Sequence, residues 1–425
     1  MRNILFFCVF MLGASSIAAQ NPVYDQVFTP ERLRIDLIFS GNAQSQQLHL
    51  KELLKEPLWG GSKTQLIDEL EYGQYFVKVF TKDQQLIYSR GFNTLFEEWR
   101  TTAEAKTHNK AFSGTFWMPF PKNPVDVVFY ERSYASGAFE EWQRISIDPS
   151  NKLIRQETPL LPAEALIMTG DPAVKVDLVF VAEGYTAAEM DKFRADAKRF
   201  TDYLFKTEPY NNHKNDFNIW LAPAPSIDSG TDIPQQDIWK HTAISSSFYT
   251  FYIDRYLTAP DQTAIANVLG STPFDAIYVI VNDSKYGGGG IYNFYGLSTA
   301  DHPSALPVFV HELGHSFAGL ADEYYTSDVA YEDFYNLKVE PWEPNITTLV
   351  NFSAKWDGMM SPGTPRPTPA NPEYNTTVGL FEGGGYMAKG IYRPHIDCRM
   401  KSNAAPGFCP VCQAAITRMI QLYNK

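Results

Sequence analysis

The residues best suited to chemistry in this sequence are His311, Glu312 and His315, within His-Glu-Leu-Gly-His. On a helix, side chains four apart share a face, so the two histidines can offer imidazole nitrogens to one metal ion. Glu312 stands beside them, where a carboxylate can take a proton from a metal-activated water. A catalytic zinc site needs a third protein ligand and one position open to water. Spacing makes Asp322 the first choice for that ligand and Glu323 its rival. On an unbroken helix Asp322 would lie about 10 Å beyond His315, too far for a ligand bond of about 2 Å. The helix must therefore end and the chain turn back, and Gly319 stands where a left-handed residue would permit it.

The plain alternative is a surface helix that happens to carry two histidines. Against it, residues 306–310 and then Phe317 and Leu320 are strongly apolar, which predicts a buried helix. Buried histidines need partners, and a zinc ion supplies one.

Several elements must surround such a helix. The chain has 425 residues, 44% of them hydrophobic and 14% aromatic, which suits two globular domains. A net charge of −12 argues against a nucleic-acid partner. Arg2, an apolar run at 4–12 and small residues at 16–19 read as a signal peptide over 1–19, too short to span a bilayer. The expected location is secreted or periplasmic, without stable membrane insertion. In such an oxidising compartment Cys398, Cys409 and Cys412 predict one disulfide and one remaining thiol. A structural zinc site that includes His395 is the alternative, because Cys409 and Cys412 have ligand spacing.

Residues 20–150 alternate apolar and polar around Leu33, Tyr75, Phe116 and Val125, as short strands of an all-β, sandwich-like domain should. Proline-rich residues 151–172 read as a linker. From 173 to 425 strands alternate with helices, an α/β or α+β pattern. The run at 176–182 predicts a strand buried on both faces, and Thr186 with Glu189 predicts a capping box. Met190, Phe193, Ala197, Phe200 and Leu204 follow at helical spacing, and residues 247–257 also read as helical. Four glycines at 287–290 permit close backbone approach. The strand after them predicts a sheet edge on which an extended peptide could pair. Residues 342–375 predict a long irregular loop, a candidate wall for a substrate cleft. Tyr386, Tyr392 and His395 are candidates to stabilise an oxyanion or contact substrate, and Met400 for a methionine turn beneath the metal.

The blocks at 177–185, 311–324 and 392–412 together resemble the IgA peptidase family of secreted zinc metallopeptidases. The resemblance runs from about 173 to the C-terminus, and the residues before about 150 look like the β-domain that accompanies it in some members. It implies a metzincin-like (zincin) catalytic fold, with His311, His315 and Asp322 on zinc and Glu312 as general base. The spacing departs from the usual metzincin pattern, with Gly319 one residue later and an aspartate where a third histidine is common. The expected partner is a protein or peptide substrate. Two rivals are a catalytically silent zinc-fold binding protein and a metal-dependent amidase acting on cell-wall peptides.

Overall fold

Alternating hydrophobicity in the first third of the chain becomes two facing sheets. The computed structural model describes residues 22–325 and 334–424; the segment read as a signal peptide, 1–19, lies outside the described residues. One sheet runs in the order Lys110–Pro121, Phe28–Gly41, Gln46–Glu56, Arg155–Gln156, and the other Leu86–Phe92, Tyr75–Thr81, Val125–Arg132, Phe139–Ile147. Pairing is antiparallel except at Arg155–Gln156. Leu33, Ile35, Leu37 and Phe39 face Tyr75, Val77, Val79 and Val127 across one apolar core.

The alternation from Leu33 to Phe39 predicts a half-buried strand, and here the structure differs. Arg32, Arg34 and Asp36 are all about 1% exposed, because the polar face packs on the following domain. Arg32 donates to Glu56 at 2.5 Å and to the Gly270 carbonyl at 3.0 Å, with its guanidinium 4.4 Å above the Phe274 ring. Arg34 grips Asp36 through two bonds of 2.8 Å. Polar residues occupy this face because its neighbours are helix-end carbonyls and carboxylates, and bidentate arginines can satisfy them.

The second region is built on a mixed six-stranded sheet. Its order is Gly288–Ile291, Tyr295–Thr299, Ala276–Val281, Val176–Glu183, Phe217–Ala222, Glu164–Ile167. The four inner strands are parallel, and the two outer ones run antiparallel to their neighbours. Every residue of Val176–Glu183 is buried, as its continuous hydrophobicity predicts. The capping box at Thr186 and Glu189 is present, and the helix Met190–Leu204 buries Phe193, Ala197, Phe200 and Leu204 against this sheet. The segment read as a linker contributes a short strand to each region, Arg155–Gln156 and Glu164–Ile167.

Residues 247–257 are not a helix. They contain a single short turn, Thr250–Tyr252, flanked by Tyr249 in the left-handed region, with Ser247 bridged to Asp232 and Thr258. The helix comes later, at Gln262–Leu269, where the Asp261 side chain caps Thr263 N–H. Residues 342–375 are irregular apart from three short turns, and they cover the sheet by burying Trp356 and Met360. No helix among the described residues is long and apolar enough to cross a membrane.

Glu56 lies buried beneath Arg32, and Arg34 is 3.8 Å away. Replacing Arg32 with alanine would leave that carboxylate short of its nearest cation and strand the Gly270 carbonyl. The expected cost is about 3 kcal/mol, read as a lower denaturation midpoint. An unchanged midpoint would mean that the interface does not depend on this arginine.

Candidate metal centre

The helix Ala305–Ala318 carries His311, Glu312 and His315 and lies against the sheet through Phe309, Val310, Leu313 and Phe317. It stops at Gly319, whose φ of +64° is the left-handed conformation glycine adopts freely. The Gly319 and Leu320 N–H groups bond back to the His315 and Gly314 carbonyls, which reverses the chain. The reversal returns Asp322 to the helix, so that its Oδ1 lies 3.1 Å from His311 Nε2 and 3.3 Å from His315 Nε2. The two Nε2 atoms are 3.1 Å apart.

The protons on these rings follow from their partners. His311 Nδ1 lies 2.9 Å from the Arg399 carbonyl and His315 Nδ1 lies 2.6 Å from the Leu320 carbonyl. A carbonyl only accepts, so each Nδ1 carries the hydrogen and the neutral ring turns a lone pair inward at Nε2. Asp322 Oδ2 accepts from the Tyr386 hydroxyl at 2.5 Å, while the buried Oδ1 has no hydrogen-bond donor. With both rings neutral, two nitrogen lone pairs and a carboxylate oxygen converge on one point, the form in which a cation can take the place of the proton on His315. Three donors about 2.0–2.1 Å from one tetrahedral ion would be separated by roughly 3.3–3.4 Å. The observed 3.1 to 3.3 Å fits a small cation bound by two nitrogens and one oxygen.

Glu312, His311 and His315 also have ligand atoms within 4.8 Å of one another. Asp322 is the better third ligand, because its Oδ1 is close to both Nε2 atoms and lacks any other partner. With Asp322 in that place, Glu312 would stand beside such an ion without being needed as a ligand. Burial pushes the Glu312 carboxyl above its ordinary pKa, against the opposing pull of the two histidines. Burial disfavours charge on His315, but the Asp322 carboxylate outweighs this and raises its pKa to about 9.

Glu323, the rival ligand, points elsewhere. It is fully buried and meets Asn345 and Cys412. Tyr386 reaches the site through Asp322 and sits on the cleft wall. Tyr392 and His395 do not line the cleft; Tyr392 pairs through its backbone with Thr347, and His395 Nδ1 bonds the Asp397 carbonyl. Met400 is buried beneath the helix, its sulfur against Gly314 between the two histidines. The cysteines differ from expectation, since Cys398, Cys409 and Cys412 form no disulfide. All three converge on Glu323, and His395 is not in that group.

The cleft over the site has a volume of about 440 Å³. Among the lining residues that sequence reasoning missed are Glu98, Arg255, Tyr286 and Tyr324. Glu98 comes from the first domain and accepts from the Tyr256 hydroxyl, a contact with no local sequence signal. Tyr324 had a signal, since it immediately follows the two carboxylates. Strand Gly288–Ile291 forms the sheet edge at this cleft, but Tyr256 bridges to Gly288, so the edge is open only beyond that point.

Glycine in this strand is a packing requirement. A Cβ on Gly290 would lie 2.4 Å from the Glu312 carbonyl oxygen and 2.9 Å from His315 Cβ. Gly290→Ala is therefore expected to push the helix off the strand, cost about 1–3 kcal/mol and lower the thermal midpoint. An unchanged midpoint would show that the strand can retreat freely.

The model for IgA Peptidase M64 matches residues 165–376 and 370–420. The model for the Peptidase M64 N-terminus matches residues 23–144. A search of curated proteins finds no match. With both regions matched over most of its length, the chain belongs to the IgA peptidase M64 family and is a metallopeptidase with a β-rich N-terminal domain.

Proposed function

We propose that this chain is an exported zinc endopeptidase with a metzincin-like catalytic fold. In this reading His311, His315 and Asp322 bind the metal and Glu312 is the general base. The observation that carries it is the meeting of two imidazole Nε2 atoms and a carboxylate oxygen at 3.1 to 3.3 Å. Met400 beneath the helix and the antiparallel edge strand at the cleft support the metzincin comparison. The segment at 1–19 supports export.

When bound, zinc lowers the pKa of a coordinated water to about 7 and polarises the carbonyl under attack. The chain's own groups do the rest. Arg399 and Leu320 carbonyls hold the two rings with Nε2 inward, and the Tyr386 hydroxyl orients Asp322. An extended peptide enters along the open part of Gly288–Ile291, which sets its scissile carbonyl beside Glu312. The Glu312 carboxylate takes the proton of the attacking water and delivers it to the leaving amine. Its raised pKa suits both halves of that task. Tyr286, whose hydroxyl accepts from Asn403 at 2.9 Å, keeps its own O–H hydrogen for the oxyanion.

Glu312→Gln should retain metal and lose at least 10²–10⁴-fold in kcat on unfolded casein. Full activity with metal retained would remove Glu312 from the role of base. Tyr386→Phe should weaken zinc about 10–100-fold in competition with a chelator, because Asp322 loses the bond that orients it. Equal affinity would make that hydroxyl incidental.

In the metal-free protein, against the opposing effect of burial, the Asp322 carboxylate raises the pKa of His315 from its ordinary 6.5 to about 9. The proton on His315 therefore stabilises the metal-free fold fully below about pH 6.5, and this stabilisation is lost as pH rises through about 9. Zinc must displace that proton, so its affinity should climb across the same window and each ion bound should release a proton. A flat affinity between pH 6.5 and 9 would contradict the assignment of His315 as ligand.

A further inference from the structure

A second cluster of ligand atoms lies behind the first. Cys398 follows the strand Met387–Arg393, Cys409 is the N-cap of the last helix, Pro410–Tyr423, and Cys412 is in that helix's first turn. With Glu323 they bring three sulfurs and a carboxylate oxygen within 4.8 Å of one another, and all four residues are buried. We propose that Cys398, Cys409, Cys412 and Glu323 form a second, structural zinc site.

The distances suit an ion rather than a disulfide. Cys398 and Cys412 Sγ atoms are 3.8 Å apart, and Cys412 Sγ is 3.2 Å from Glu323 Oε1. Two sulfurs bound at about 2.3 Å to a tetrahedral zinc would be separated by roughly 3.8 Å, and a sulfur and a carboxylate oxygen by roughly 3.5 Å. Glu323 Oε2 is buried with no hydrogen-bond partner, and no ion pair joins Glu323 to a cation among the described residues. Arg393 lies near enough to act on this carboxylate but forms no ion pair with it, and a divalent ion would supply a charge in direct contact. The ligand set is closed, with four protein atoms and no place for water, as structural zinc requires.

The surroundings fit thiolates. Cys409 N–H donates to Cys398 Sγ at 3.2 Å, and the N-terminus of a fourteen-residue helix favours negative charge at Cys409 and Cys412. Asn345 Nδ2 donates to Glu323 Oε1 at 3.0 Å and orients that carboxylate. On binding, zinc displaces the three S–H protons to solvent, and no electron is transferred.

The second site would brace the first. Asp322 and Glu323 are adjacent and point to different centres. Glu323 N–H bonds the Met400 carbonyl at 2.8 Å, and the neighbouring Arg399 carbonyl holds His311. An ion on Glu323 and Cys398 thus anchors both chain segments that position the catalytic ligands.

The test counts zinc per chain in the purified mature protein, in His315→Ala and in Cys412→Ser. The proposal expects about two ions in the wild type and about one in His315→Ala. X-ray absorption of the latter should find about three sulfurs near 2.3 Å from zinc. Cys412→Ser should lose this sulfur signature; if it fails to fold, the His315→Ala spectrum decides alone. Zinc-free His315→Ala, a zinc shell without sulfur, or a disulfide among the three cysteines in the native wild type would each overturn the proposal. A single sulfur-bound ion in the wild type would uphold it and instead remove the metal from the His311 centre.

Discussion

Two imidazole nitrogens and a carboxylate oxygen held at one point, with room between them for a single proton or cation, are the constraint on which the rest of this site depends. Lone pairs brought within 3.1 to 3.3 Å repel, and each Nδ1 hydrogen is already committed to a carbonyl. The fold must therefore hold the acceptors together by rigid means, and it does so with backbone. Two main-chain carbonyls set the rings, a left-handed glycine returns Asp322 to them, and a tyrosine hydroxyl takes the carboxylate's other oxygen. Such an arrangement is stable when a cation is available to it, which is why a metallopeptidase can tolerate it.

Close packing extends that rigidity outward. Glycines at 288 and 290 let the edge strand lie against the helix so closely that Glu312 and His315 have no room to shift. On the far side, Asp322 and Glu323 follow each other in irregular chain and their side chains point to different partners. One turns to the histidines and the other to the cysteines. A single reversal at Gly319 thus serves both clusters of side chains.

The first domain is joined to the second by a buried polar layer as well as by apolar contacts such as Trp117 on Phe274 and Tyr72 on Tyr292. Arg32, Arg34, Asp36 and Glu56 form a buried charged layer that fixes orientation, since bidentate pairs tolerate little rotation. Glu98 uses that fixed orientation to reach the cleft beside Tyr256. The domain therefore contributes to the shape of the cleft as well as to the stability of the chain.

Much of this was legible in the residues themselves. Hydrophobic period gave away the buried strand at 176–183 and the helix from 190, because a strand's alternation and a helix's stripe are local properties. The pair His311 and His315, the glycine stop and the nearby carboxylates were legible for the same reason: helical spacing is set by covalent geometry. The helix read at 247–257 was not, because bridges to Asp232 and Thr258 override local propensity there. Nor was the charged interface, since alternation reports which residues are polar and not what will cover them. Which of Asp322 and Glu323 faces the histidines, and whether three cysteines pair or converge, depends on where distant segments return. By itself, the sequence determined the chemical groups and their local spacing. Only the tertiary structure decided which groups meet, because ligand geometry is set to fractions of an ångström by packing between segments far apart in the chain.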